Sequence, residues 1–184
     1  MAVKSNEDVE LGTPAADFEL PATDGQTYSL DSFSEADILV VMFICNHCPY
    51  VKAVRDRLID LADDMADEPV EFVAISANDA EEYPDDSFEN MKKVAEKFDY
   101  PFPYLYDESQ EVARAYGAVC TPDIFVYDED RKLAYRGRVD DSWKEPENVT
   151  RQELREGIET LLRGETPDPD DMNPSMGCSI KWKN

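Results

Sequence analysis

The stretch Ile38-Leu39-Val40-Val41-Met42-Phe43-Ile44-Cys45-Asn46-His47-Cys48-Pro49-Tyr50-Val51 decides how this chain folds. Its first seven residues are apolar without interruption, the pattern of a central strand covered on both faces. Beyond Pro49, the apolar residues Val51, Val54, Leu58, Leu61, Ala62 and Met65 recur at helical spacing. A C-x-x-C motif therefore stands where a strand hands over to a helix. Proline suits the first helical position, so a helix is predicted from Pro49 to Met65 with Cys48 as its N-cap. The first turn of a helix carries unpaired N–H groups and partial positive charge. A cysteine there is pushed toward thiolate, the nucleophilic form. Two cysteines at this spacing also close a short disulfide, so the pair can attack a disulfide or a peroxide and then resolve itself.

Other chemistries use the same motif. A buried cysteine can be a small hydrophobe and no more. C-x-x-C is also half of a zinc site, but no second ligand pair follows: Cys120 and Cys178 are isolated, and His47 is the only histidine. A soft metal such as Cu(I), held by Cys45 and Cys48 with His47 or Cys120, is the binding-protein alternative. Redox chemistry is the favoured reading, with no metal assigned.

Working outward, Asp17–Leu20 and Gln26–Leu30 alternate around the turn signal Asp24-Gly25 and predict a hairpin. Residues 1–15 read as a loose lead-in, and Asp31–Glu35 as one helical turn. Glu71–Ser76 is the next strand, followed by a polar loop over Asn78–Asp86. Phe88, Met91, Val94, Ala95 and Phe98 mark a second helix, with Asp86 and Glu89 as a candidate capping box. Tyr104–Tyr106 is a short strand, and Asp107–Tyr116 a third helix stopped by Gly117. Asp123–Tyr127 and Lys132–Gly137 form a second hairpin. A last helix is expected to open at Thr150, boxed by Glu153, and to stop at Gly164. The predicted order is a hairpin, then β-α-β-α-β-α, then an antiparallel pair and a final helix. That order folds as an α/β domain over residues 1–164, a central mixed sheet flanked by helices. Residues 165–184 form an acidic, proline-containing C-terminal extension.

The chain has 18 basic and 42 acidic residues among 184, a formal charge of −24. Such a charge excludes nucleic acid and anionic membranes as partners. The acid is spread along the chain rather than gathered in a tail, a composition that suits high salt, where counter-ions screen self-repulsion. No apolar run is long enough to span a bilayer, and the start carries no secretory pattern. A cytoplasmic location is expected, where thiols are kept reduced and four cysteines favour catalysis over a disulfide framework.

With these elements in place, the chain resembles the thioredoxin superfamily, and within it a peroxiredoxin-like, AhpC/TSA- or redoxin-type branch. The resemblance covers about residues 10–164 and rests on Cys45-Asn46-His47-Cys48-Pro49-Tyr50-Val51, Tyr104-Leu105-Tyr106-Asp107, Thr121-Pro122 and the tail with Cys178. It implies a thiol–disulfide oxidoreductase, antioxidant in role, with Cys45 and Cys48 catalytic. It implies no dissociable cofactor, a disulfide-bearing protein or a peroxide as substrate, and a thioredoxin-type or small-thiol electron donor. It also implies a cis-proline at Pro122 facing the motif, with Thr121 offering backbone groups to a substrate chain.

Two mechanisms of this superfamily compete. Cys45 with Cys48 matches the thioredoxin pair, whereas Cys48-Pro49 matches the peroxiredoxin pair and makes a thiol peroxidase, with Cys48 attacking and Cys45 resolving, the alternative. Peroxiredoxins place a threonine or serine three residues before the attacking cysteine and an arginine before a late strand. Here those positions hold Cys45 and Pro122. Thioredoxin's buried carboxylate has no match, because Ile38–Ile44 contains no acid, and His47 is the nearest group that titrates near neutral pH. Cys120, next to Thr121-Pro122, falls near the motif in this fold and is a candidate third redox group. Cys178 follows a connector of about ten residues able to span roughly 30 Å. Ile180 and Trp182 beyond it predict a docked end, where Gly177-Cys178 either packs as a small apolar unit that never reacts or lets Cys178 exchange with Cys48 or Cys120.

Overall fold

The structure, a computed structural model, describes residues 1–5 and 10–184. Residues 6–9 of the lead-in lie outside the described residues. The apolar run forms strand β4 (Ile38–Phe43), at most 3% exposed at every residue. Burying a side chain of this kind contributes on the order of 1.5–3 kcal/mol, so this strand anchors the fold. β4 pairs in parallel with β5 (Val70–Ser76), which pairs in parallel with β6 (Tyr104–Tyr106). On its other edge β4 runs antiparallel to β8 (Asp123–Tyr127), and β8 to β9 (Leu133–Arg136). The five-stranded order is β6-β5-β4-β8-β9, the mixed sheet expected from the order of elements.

Alternate residues of β4 serve two cores. Val40 and Met42 face α1 (Pro49–Asp64), α2 (Phe88–Lys97) and α4 (Glu153–Leu162). Leu39, Val41 and Phe43 face α3 (Glu111–Tyr116), the N-terminal hairpin of β2 (Glu19–Pro21) and β3 (Thr27–Ser29), and Ile180 of the tail.

Local capping differs from expectation at three points. The cap of α2 is Ser87, whose side chain accepts from the Asn90 N–H, not Asp86. Thr150 does not open α4: its hydroxyl and N–H are both taken by Asp141, and the helix starts at Glu153. Asp107 lies before α3, not in it, and its buried carboxylate accepts from the Ala113 N–H at 2.8 Å.

The lead-in is not wholly loose. Ala2–Lys4 is strand β1, paired antiparallel with β10 (Met176–Ser179) of the C-terminal segment. β10 pairs on its other side with β7 (Cys120–Thr121), giving a three-stranded sheet, β1-β10-β7. Three residues with one half-buried valine carry no periodic signal, so β1 exists only because β10 offers it an edge.

Candidate functional site

Cys45–Cys48 occupy the turn between β4 and α1. Cys48 is the N-cap of α1 with an extended backbone, and Pro49 begins the helix. Cys45 and Cys48 are buried and reduced. The thiolate form of Cys48 is favoured by the Cys45 thiol first, then by the Cys178 thiol, the Thr121 side chain and the Val51 N–H of the first helical turn. Against the opposing effect of burial, they hold Cys48 below the ordinary thiol range. Cys45 is pushed the other way, because its proton is engaged by Cys48, its surroundings are dry and the Asp86 carboxylate repels its charge. The pair thus keeps one proton on Cys45 and places the negative charge on Cys48. A protonated Cys48 donates to the Thr121 carbonyl at 3.2 Å. Thr121 Oγ1 lies 3.4 Å from Cys45 Sγ, and the Thr121–Pro122 peptide bond is cis.

The turn is held by groups from two other elements, the loop after β5 and strand β6. Asp86, wholly buried, accepts from the Asn46 N–H at 2.8 Å and the His47 N–H at 3.2 Å. Its other carboxylate oxygen meets His47 Nδ1 at 2.5 Å and accepts from Asn78 Nδ2 at 2.7 Å. Tyr104 donates its hydroxyl to Asn46 Oδ1 at 2.9 Å, and Asn46 Nδ2 donates to the Asp85 carbonyl. His47, half-buried, stacks on Tyr83 with ring centroids 5.9 Å apart. A ring nitrogen of His47, Cys45 Sγ and an Asp86 oxygen lie within 4.8 Å of one another, a donor set that could hold a metal ion.

Strand β4 holds no acid, as its sequence states, but a buried carboxylate reaches the motif from elsewhere in the form of Asp86. The acid comes from the loop after β5, 39 residues beyond His47, rather than from the strand before it. Four other acids share that loop, so composition gave no means of choosing this one. Tyr104 belongs to a stretch singled out by resemblance alone; its hydroxyl supplies the physical reason.

The structure brings the remaining candidates together. Cys120 is buried, its thiol 3.6 Å from the Pro122 carbonyl, and burial pushes it well above the ordinary thiol range. That makes it a poor nucleophile. Cys178 stands opposite Thr121 in the β10–β7 ladder and packs against the core cluster that holds Cys45 and Cys48.

Residues 11–136 match the AhpC/TSA family. A solved structure of an uncharacterized conserved protein from Geobacillus kaustophilus is 52% identical, covers 100% of this chain and 97% of its own, and superposes with a TM-score of 0.92. The thiol-disulfide oxidoreductase ResA of Bacillus thuringiensis subsp. konkukian is 21% identical over 161 residues, 88% of this chain and 82% of its own length. The thioredoxin domain of a thiol-disulfide oxidoreductase from Bacteroides vulgatus shares the fold at 16% identity and a TM-score of 0.66, over 84% of this chain and 99% of that one.

Proposed function

This chain belongs to the AhpC/TSA family, and within it we propose a thiol–disulfide oxidoreductase whose Cys45 and Cys48 cycle between dithiol and disulfide. The observation that carries the reading is the placement of the two thiols: both are buried where β4 hands over to α1, with Cys48 as the helix N-cap, and both sulfurs face Thr121 of the cis Thr121–Pro122 bond. That setting favours thiolate at Cys48 and the proton on Cys45. A thiolate beside a thiol is the starting state for attack followed by internal resolution. Cys48 attacks the sulfur of a substrate disulfide, and one substrate sulfur leaves as thiolate. Cys45 then gives up its proton and attacks the Cys48 sulfur, releasing the second substrate thiolate and closing Cys45–Cys48. A thioredoxin-type or small-thiol donor returns the pair to the dithiol in a reducing, cytoplasmic setting. His47, fixed by Asp86, sits within reach of Cys45 as the group that exchanges its proton with solvent.

Peroxide is the second reading, favoured by the lowered Cys48 thiol followed by Pro49. It is weakened because Cys45 and Pro122 stand where peroxiredoxins carry the threonine and arginine that position peroxide. Arg136 is itself engaged by the Asp123 carboxylate at 2.9 Å and the Gly117 carbonyl. Stopped-flow reaction of reduced protein with a model disulfide and with peroxide, side by side, separates the two. The reading predicts fast disulfide reduction lost in Cys48→Ser, with peroxide consumed no faster than by a free thiol. Fast peroxide reduction kept in Cys45→Ser and lost in Cys48→Ser replaces it with the peroxidase reading. The cluster of Cys45, His47 and Asp86 gives the metal-binding alternative its one observation. Stoichiometric metal surviving dialysis of reduced protein would favour that alternative.

A further inference from the structure

Cys45, Cys48 and Cys120 are buried, whereas Cys178 is partly exposed. A partner thiol approaching from solvent therefore meets Cys178 first. Its placement is built rather than incidental. β10 is the middle strand of its sheet, with Cys178 opposite Ala2 on one side and Thr121 on the other. The strand lies so close to β7 that a Cβ at Gly177 would overlap the Thr121 carbonyl. Only glycine permits that approach, and the approach seats the neighbouring Cys178 beside Thr121, whose carbonyl faces the Cys48 thiol, and against the core cluster that holds Cys45 and Cys48. Beyond Cys178 the chain is fastened. The Ile180 N–H donates to the Val119 carbonyl at 3.0 Å, and the Lys181 N–H to Asn78 Oδ1 at 2.9 Å. Asn78 is the same side chain that holds Asp86, so the tail and the motif share one hydrogen-bonded frame.

We propose that Cys178 is a third catalytic cysteine, which carries the disulfide between the buried Cys45–Cys48 pair and the thiols of a dithiol partner. This rests on the reading of Cys45 and Cys48 as the cycling pair. In the oxidised protein the Cys178 thiolate attacks the Cys48 sulfur. The Cys45–Cys48 bond breaks, Cys48–Cys178 forms, and the electron pair leaves on Cys45, which takes up the proton that Cys178 released. A partner thiolate then attacks the sulfur of the partly exposed Cys178, giving a mixed disulfide and returning the charge to Cys48. The partner's second thiolate attacks its own sulfur in that mixed disulfide and frees Cys178. The net change moves two electrons from the partner dithiol to Cys45 and Cys48.

The electrostatics switch in step with this sequence. Burial, and contact with the Cys48 charge, push the reduced Cys178 thiol up to about 11, while Lys181 and the N-terminal amine oppose them. Once Cys48 is in a disulfide its charge is gone and the two cations remain, so Cys178 becomes a better nucleophile when there is a disulfide to attack.

The test uses the full chain with the thiol oxidant diamide, followed by peptide mapping under non-reducing conditions. In Cys45→Ser, one equivalent should yield a Cys48–Cys178 linkage. In Cys178→Ser, the Cys45–Cys48 disulfide should still form, but its reduction by a dithiol should slow by about tenfold or more. Gly177→Ala keeps all four thiols and should slow formation of the Cys48–Cys178 linkage by displacing the strand. If Cys48 and Cys178 both stay alkylatable in oxidised Cys45→Ser, or Cys178→Ser is reduced at the wild-type rate, Cys178 is only a cover over the pair and the proposal fails. If Cys178→Ser cannot form Cys45–Cys48 at all, the cycling pair itself is wrong, and the proposal falls with it.

Discussion

Asp86 meets His47 through a 2.5 Å contact between its Oδ2 and the ring Nδ1, while its Oδ1 accepts the backbone N–H groups of both Asn46 and His47. One carboxylate from the loop after β5 thus fixes the turn that carries both thiols and orients the only histidine. Its charge also helps keep the proton on Cys45. Asp86→Asn presents an amide where an acceptor is required and leaves buried donors unpaired, at a cost of about 1–3 kcal/mol. Reduced Asp86→Asn should melt lower than wild type. In a Cys48→Ser background it should lower the Cys45 titration followed by thiolate absorbance. An unchanged Cys45 titration would show that Asp86 acts only on the backbone.

The thiols make stability depend on pH in a way that oxidation removes. Cys48 is held below the ordinary thiol range in the folded, reduced protein. Its contribution is therefore fully present above the unfolded thiol pKa of about 8.5 and is lost as pH falls toward the folded value. Cys45 has the opposite sign: burial and the Cys48 contact raise it, so its contribution is present below about pH 8.5 and is lost above. Groups remote from the two thiols are common to both redox forms and cancel in the difference. The melting temperature of the reduced protein minus that of the oxidised protein should rise from acid toward about pH 8.5 and fall beyond it. A flat difference would contradict the assigned proton positions.

Tyr104→Phe removes one hydroxyl at the floor of the site and leaves Asn46 Oδ1 without the Tyr104 hydroxyl. The expected loss is about 1–3 kcal/mol in denaturant unfolding. Disulfide turnover should fall as well, because Asn46 lies between the cysteines. Stability loss with unchanged turnover would make Tyr104 a structural residue alone.

Much of this architecture is legible in sequence because it is written in local patterns. The apolar run before Cys45, the helical spacing after Pro49 and the Asp24-Gly25 turn each encode one element with its own period. Cys48 as N-cap follows from Pro49 alone. What the pattern does not carry is placed by long-range contact. Asp86 resembles every other acid in its loop until the fold turns its carboxylate under Asn46 and His47. β1 has too few apolar residues to signal a strand and exists through its partner. Thr150 and Glu153 have the form of a capping box, but Asp141 claims the threonine and Arg138 pairs with the glutamate at 2.6 Å. In each case a distant partner outbids a local rule.

The formal charge of −24 predicts salt dependence. Screening shortens from about 10 Å at 0.1 M salt to about 3 Å at 1 M. Unfolding separates the acids and relieves their repulsion, so the folded state gains most from screening. The melting temperature should rise between dilute and molar KCl. A fall over that range would contradict an acid-adapted surface.

The most direct test of the account is a redox titration of the wild-type chain in a thiol/disulfide buffer, with each poised sample alkylated, digested and mapped. The account predicts that Cys45 and Cys48 lose reactivity together, in one two-electron step, and emerge in one peptide containing Ile44–Val51 that carries an internal disulfide. Both thiols alkylatable at every potential, including under excess oxidant, would contradict it.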